Sequence, residues 1–441
     1  MKHFRKKSLA TLTALALSVS SLVACAPTAA LKTVEAEYPA PIAEGKTAET
    51  FAESDEHWDW LDSYREKAAV SVAYQAQLRN YDQDLLPKLL IAEDENTVCS
   101  PLNIYIALAM LSEISDGNTR QQILDVLQVS DMETLRQETA ALWNSNYADT
   151  PILKSLLADS LWLKNTLNYN EATLSRLAKD YYASSFRGTP GSPEMDQALQ
   201  QWINRNTGGL LSEYVQNLKL DSETALALVS TIYYRAAWGQ KFYADSNTKE
   251  IFHGAKGDTT VEMMHQSDTM SIYQDDAFTA LCLPLKDSGS MYFYLPKEGT
   301  DMNQLIQNAD IFAVLTKDNA ARWSTPLVNL SLPKFKVSCR TDLLNTLAAL
   351  GITDAMDSAR ANFVPLTKEK NNLFLGAAEH AAMVEVDENG VTGAAYTELA
   401  VTESAMQIQN TMELKFDRPF LFLITGQDGS VLFSGAVRNI E

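Results

Sequence analysis

The stretch EVDENGVTGAAYTELAVTESAMQIQN, Glu385–Asn410, alternates like a β-strand. From Val391 onward every second residue is uncharged: Val391, Gly393, Ala395, Thr397, Leu399 and Val401. The residues between them, Thr392, Ala394, Tyr396, Glu398, Ala400 and Thr402, hold the one charge and the one bulky ring. That division is expected when one face meets a core and the other meets water. The pattern is a latent strand, limited by Glu403, the first charge on the inward parity. Periodicity alone fits an ordinary amphipathic edge strand followed by a polar loop equally well, so the flanking sequence must decide.

Working outward, the 441 residues are 46% apolar, enough for a sizeable core. Residues 1–24 read as an export signal: Lys2, Arg5, Lys6 and Lys7 form a charged start, Leu9 to Val23 an apolar run, and Leu22-Val23-Ala24-Cys25 a cleavage site. The last four residues resemble a bacterial lipobox. That resemblance implies that Cys25 is lipidated, becomes the first mature residue and anchors the chain; a plain secretory signal cut near Ala24 or Ala30 is the alternative. The apolar run falls short of a comfortable membrane span, and no later stretch reaches about 18 uncharged apolar residues. Residues 25–58, rich in Ala, Pro, Thr and Glu, read as a flexible tether. Helical spacing of Trp60, Leu61 and Tyr64 places the start of the folded part near residue 59, and without an internal repeat or later linker one large domain, 59–441, is expected. Removing the signal takes away four cations and no acidic residue, moving the formal charge from −20 to −24. Such a surface repels nucleic acid and anionic lipid heads, so neither is an expected partner.

Beyond Cys25, the cysteines Cys99, Cys282 and Cys339 are too widely spaced for a zinc pattern or a disulfide framework, and their apolar neighbours suggest buried free thiols. No HExxH, GxSxG, Walker or GxGxxG pattern occurs. His253, His265 and His380 stand in separate segments without the acidic spacings of a metal site or a triad. No catalytic group, metal or cofactor is expected.

Several segments, taken in order, resemble the serpins, a large α/β family of protease inhibitors. Asn96 to Ile104 followed by Ala107 to Leu111 looks like the strand and buried helix that begin the serpin core, with Ser100 as cap and Pro101 at the first helical position. Leu228 to Tyr234 reads as a buried strand leading to Trp238, after which Phe242, Phe252-His253 and Met263-Met264 follow. Then come Phe293-Tyr294-Leu295-Pro296, Leu332-Pro333-Lys334-Phe335 and Leu350-Gly351-Ile352, and finally Phe416 to Ile424 and Leu432 to Gly435. The resemblance runs from about residue 66 to the end. It implies a serpin fold: an α/β chain of the α+β multi-domain type with a large central sheet, a second sheet region, about eight to nine helices and an exposed reactive-centre loop near residues 388–412.

The resemblance also assigns roles. Glu388, Gly390, Val391, Thr392, Gly393, Ala394 and Ala395 match the hinge and its small-residue stretch. Ser100, Asn103, Ser230, Trp238 and His380 match the group that controls opening of the main sheet. Asn103 stands where the family usually has a serine and Ser230 where it has an asparagine, a reciprocal swap expected to keep donors and acceptors paired. Inhibitory members are cut in the exposed loop, insert it as an extra central strand and drag the acylated protease with it. Small uncharged residues on the inward parity ease that insertion; Val391 for the usual threonine and the flexible Gly393 are less ideal.

Counted by the family's usual spacing from either end of the loop, the resemblance implies a scissile bond between Ser404 and Ile408, with Ser404-Ala405 and Met406-Gln407 both suitable. No Arg or Lys lies between Gly390 and Asn410, which disfavours trypsin-like proteases, whose pocket needs a cation. Elastase-like or subtilisin-like serine proteases are the expected partners, a papain-like cysteine protease the alternative. The expectation is a monomeric, extracytoplasmic bacterial lipoprotein, secreted if the anchor is removed. A non-inhibitory surface lipoprotein of the same fold, cut only as a substrate, is the rival reading. A solute-binding lipoprotein is disfavoured by the consecutive closing strands.

Overall fold

Ten of the twelve residues of Leu226–Ala237 are buried, because the sheet to which this strand belongs is covered on both faces. A strand so placed reads as a continuous apolar run. In the computed structural model, which describes residues 31–67, 70–308, 310–316, 321–368, 372–391 and 411–441, it lies inside an eight-stranded sheet. In chain order the strands are β1 (Lys32–Val34), β2 (Ala148–Asp149), β3 (Lys154–Lys164), β4 (Ala183–Gly188), β5 (Leu226–Ala237), β6 (Phe335–Asp342), β7 (Ala377–Val386) and β8 (Gly390–Val391). Across the sheet they run β1–β4–β3–β5–β8–β7–β6, with β2 paired to β3.

The first strand corrects a reading made from composition. Residues 31–58 are not a flexible tether: β1 pairs with β4, and the chain continues through α1 (Ala48–Ala52) and α2 (Asp55–Lys67). The segment lacks an apolar period, yet Tyr38 stacks among Trp143, Tyr147 and Tyr182, while Phe51, Leu61 and Tyr64 are buried. A few irregularly spaced aromatic anchors hold a segment whose average composition is polar. The described fold therefore begins at residue 31, not near 59.

Helix α3 (Pro101–Ile114) has thirteen of its fourteen residues buried, starts with Pro101 and is capped by the Ser100 side chain accepting from Asn103 N. Its Ile104, Leu108 and Leu111 pack against Leu157, Leu161, Leu228 and Ile232 on one face of the sheet. Helix α4 (Met132–Asn146) flanks that layer. On the opposite face, Met195, Leu199 and Trp202 of α5 (Pro193–Asn206) pack on Ala158, Trp162, Ala227 and Val229. A seven-stranded sheet contains the wholly buried strands Phe420–Thr425 and Val431–Val437 and is closed at that end by Thr97–Cys99. A four-stranded sheet, in which Thr411–Lys415 runs parallel to Leu327–Pro333, is the third. One sheet more than expected is present, and single-turn helices such as Ser212–Val215 and Val364–Thr367 carry the described helices beyond eight or nine. Such short turns leave no periodic signature to read. Of the cysteines, Cys99 is buried whereas Cys282 and Cys339 are only partly so, and all three are free. Among the described residues no helix is long and apolar enough to cross a membrane.

Candidate functional site

The two strands at the middle of the main sheet, β5 and β7, part company halfway along. They pair in parallel from Ala227↔Ala377 to Ser230↔His380, and the register between them ends there. At the far end the gap is taken by β8: Gly390 pairs with Ala237 and Val391 with Ala236 on one side, and Val391 pairs with Val386 on the other. Val391 is buried in the same core as Leu228 and Val384, so the inward parity expected at this position is observed. Gly390 and Val391 thus stand as a short strand between β5 and β7.

The reversal from β7 into β8 is held tightly. Asp387 Oδ1 accepts from Asn389 N at 2.8 Å and Gly390 N at 3.1 Å, closing an Asx-type turn. Trp238, packed edge-on against Phe242, donates its ring N–H to the Asp387 carbonyl at 2.8 Å. Its backbone N–H reaches Asn389 O at 3.0 Å, and Phe242 N–H reaches Glu388 O at 3.0 Å. The Glu388 carboxylate accepts from Asn247 Nδ2 and pairs with Lys334 Nζ at 3.1 Å, while Lys334 also lies 3.4 Å from Glu262. Partial burial opposes ionisation of Glu388, but hydrogen bonds from the backbone, Lys334 and Asn247 outweigh it and hold the carboxyl below its usual range. Glu388, Gly390 and Val391 of the expected hinge come together here, joined by Trp238, which the resemblance groups instead with Ser100, Asn103, Ser230 and His380. Asp387 and Lys334 stand in the stretches Glu385–Gly390 and Leu332–Phe335 that carry the resemblance, but without roles of their own, and nothing in the sequence points to Asn247.

At the point where β5 and β7 separate, a polar cluster lies between the sheet and the start of α3. His380 Nε2 accepts from Ser100 N at 2.9 Å, so that nitrogen carries no proton, and burial depresses the imidazole to about 4. Ser100, Asn103, Ser230 and His380 are all buried. The reciprocal swap, however, does not form the amide–hydroxyl pair expected of it. Ser230 Oγ donates to the backbone carbonyl of Asn103 at 3.4 Å, whereas both side-chain polar atoms of Asn103 lack a partner among the described residues. The physical reason is that a backbone carbonyl keeps a second lone pair beside its intrahelical bond, and the Ser230 hydroxyl donates to that one in place of the amide.

A residue missed entirely completes the cluster. Asp159 of β3 stands opposite Ser230, is fully buried, and has both carboxylate oxygens without a hydrogen-bond partner among the described residues. Burial raises it to about 7; the facing Ser230 hydroxyl offsets this only partly, since its hydrogen is directed at Asn103. Asp159, Ser230 and His380 therefore form one row across three adjacent strands.

Thr392, Gly393, Ala394, Ala395, Ser404, Ala405, Met406, Gln407 and Cys25 lie outside the described residues. On the third sheet His253 pairs with Asp258, and His265 lies 3.1 Å from the Ser331 hydroxyl through Nδ1 and 2.8 and 3.1 Å from Thr248 and Glu250 through Nε2. The described residues contain no cluster of His, Cys, Asp and Glu fit for a metal ion.

A family model described as "Serpin (serine protease inhibitor)" matches residues 77–440. An uncharacterized serpin-like protein of Methanosarcina acetivorans is 29% identical over 79% of this chain and 82% of its own. The leukocyte elastase inhibitor of Xenopus laevis is 30% identical over 77% of this chain and 92% of its own. Among solved structures, a thermophilic serpin, tengpin, in the native state, superposes with a TM-score of 0.75 at 24% identity, covering 84% of this chain and 95% of that one.

Proposed function

This chain belongs to the serpin family, whose members are in general protease inhibitors and not catalysts, and on that premise we propose that it inhibits serine proteases by suicide cleavage of the segment following Val391. The observation that carries this reading is the seating of Gly390 and Val391 between β5 and β7. Loop insertion needs an opening at that place and an inward face of small uncharged residues, and the sequence continues with Gly393 and Ala395 on the parity of buried Val391.

In this mechanism the protease serine attacks the scissile carbonyl, the new amine leaves with its proton, and an ester joins the two proteins. Insertion along β5 and β7 then carries the acylated protease away from the geometry that hydrolyses the ester. The absence of cations between Gly390 and Asn410 and the size of Ser404 and Met406 support an elastase-like or subtilisin-like target. The name of the Xenopus relative agrees with that class. The sequence Leu22-Val23-Ala24-Cys25 supports a Cys25-lipidated, extracytoplasmic form.

The test is to mix the lipid-free chain, beginning at Ala26, with elastase and resolve the products on a denaturing gel with mass spectrometry. A covalent band heavier than the inhibitor, with a released peptide beginning between Ala405 and Gln409, is the expected result. Complete cleavage without an adduct across serine and cysteine proteases would favour a non-inhibitory lipoprotein of the same fold.

A further inference from the structure

Residues 31–67 precede the span that matches the family, 77–440, and they touch the molecule at two distant places. We infer that this segment is a brace that ties the outer edge of the main sheet to the seat of the hinge, and that His57 is the positioning residue through which it holds that seat.

One end is fixed to the sheet edge. Lys32 and Val34 pair with Phe186 and Ser185 of β4, Ala36 N donates to Ser184 Oγ at 3.2 Å, and Tyr38 Oη donates to Tyr182 O at 3.0 Å. A little further on, Ile42 N reaches Asp149 O of β2 at 2.8 Å.

The other end is fixed by α2. His57 Nε2 lies 2.9 Å from Asp287 Oδ2, with the side chains only 4% and 10% exposed. The imidazole is boxed by Phe51 and Trp60, at centroid distances of 5.2 and 6.1 Å, and its Nδ1 has no partner among the described residues. The bond to Asp287 therefore fixes the ring, and losing it would leave a carboxylate desolvated and unpaired.

Asp287 belongs to the turn between strands Phe278–Pro284 and Ser290–Pro296, and this turn is bonded to the upper end of β5. Lys286 N donates to Ala237 O at 2.8 Å, Ser288 Oγ meets Tyr234 Oη at 2.9 Å, and Leu285 bridges to Trp238. Ala236 and Ala237 are the residues that receive Val391 and Gly390. The path from His57 to the hinge thus runs through one turn and one strand end.

Opening the sheet between β5 and β7 requires the half containing β3, β4 and β5 to shift against the rest. The brace is bonded to that half at β4 and to the turn at Asp287, which belongs to the seven-stranded sheet but is itself bonded to β5, so a shift of the half strains either the His57–Asp287 pair or the bonds between this turn and β5. The inference rests on the reading that the sheet opens, but its test needs no protease, so a failure of inhibition would leave the test's outcome intact.

Hydrogen–deuterium exchange of the full chain, read by mass spectrometry, provides that test. In His57→Ala and in Asp287→Ala, amides of residues 232–238 and 390–391 should exchange about tenfold faster, with the double variant no faster than either single one. Amides of α3 should be unchanged, and Lys46→Ala, which removes the exposed Lys46–Glu56 pair of the same segment, should match the parent. His57→Gln, which keeps a donor near Asp287, should restore slower exchange and serves if His57→Ala does not fold. Faster exchange confined to residues 48–67, or an additive double variant, would overturn the inference.

Discussion

A β-carbon added to Gly390 would lie 2.2 Å from the carbonyl oxygen of Ala236, and 2.8 Å from the α-carbon of Ala237. Both obstacles are backbone, so neither can swing aside as a side chain could. Gly390→Ala is therefore incompatible with the seated hinge, and the expected response is that Gly390 and Val391 leave the sheet. Val391 would then lose its burial, at a cost of roughly 1.5–3 kcal/mol for a fully buried apolar side chain. Titration against elastase should show more cleaved, unreacted inhibitor per covalent adduct, and thermal unfolding should shift downward. An adduct yield and melting point equal to the parent's would mean that the close contact is not maintained in solution.

The Glu388–Lys334 pair makes a second, weaker point. Lys334 is 33% exposed and Glu388 13%, and Lys334 keeps Glu262 at 3.4 Å when Glu388 is neutralised. Glu388→Gln should therefore lower stability by only about 1 kcal/mol, an effect that shrinks as salt is raised. Because the folded carboxyl is held below its usual range, the contribution is present above the unfolded carboxylate pKa and fades as pH falls through the folded one. Urea unfolding at low and high salt, parent against variant, measures it; a salt-independent loss would assign the role of Glu388 to its Asn247 hydrogen bond instead.

Parity along the loop supplies a third expectation. Val391 faces the core, and alternation carries that direction to Ala395 and away from Tyr396. Ala395→Glu should place a charge on the inserting face, where no partner waits, and convert the protein from inhibitor to substrate. Tyr396→Glu should leave adduct formation largely intact. The comparison is a gel band ratio for the two variants under the same elastase, and equal behaviour would remove the basis for the register.

What could be read beforehand follows from how local each determinant is. Ser100 and Pro101 announce α3 because a cap and a first-turn proline act within a few residues, and the inward parity at Val391 follows from period two. The two last strands are apolar except for Thr425 and Ser434 and therefore visible. Asp159 was invisible: one acid in KSLLADSLWLK acquires its meaning only from Ser230 opposite and His380 beyond. Asn103 misled for the same reason, since the swap was judged by side-chain chemistry while the hydroxyl of Ser230 found a backbone carbonyl. The brace escaped because Tyr38, Phe51 and His57 dock irregularly onto surfaces distant in sequence.

Asp159 and His380 flank Ser230 with opposite pH dependences. Burial lowers His380 from 6.5 to about 4, so its contribution to stability is complete above pH 6.5 and is lost as pH falls through about 4. Burial raises Asp159 from 3.8 to about 7, so its contribution is complete below pH 3.8 and is lost as pH rises through about 7. Each shift corresponds to roughly 3–5 kcal/mol at about 1.4 kcal/mol per unit, and between pH 4 and 7 the two largely cancel. Asp159→Asn should expose the histidine alone: its stability relative to the parent should fall steadily from pH 7 toward pH 4. His380→Gln should show the reverse, falling relative to the parent from pH 4 toward pH 7. Urea unfolding of the parent and both variants at constant ionic strength decides it. Parallel profiles for all three would show that neither group changes protonation on unfolding in that window, and hence that the row across the sheet holds its polar atoms by some arrangement other than a neutral carboxyl and a neutral imidazole.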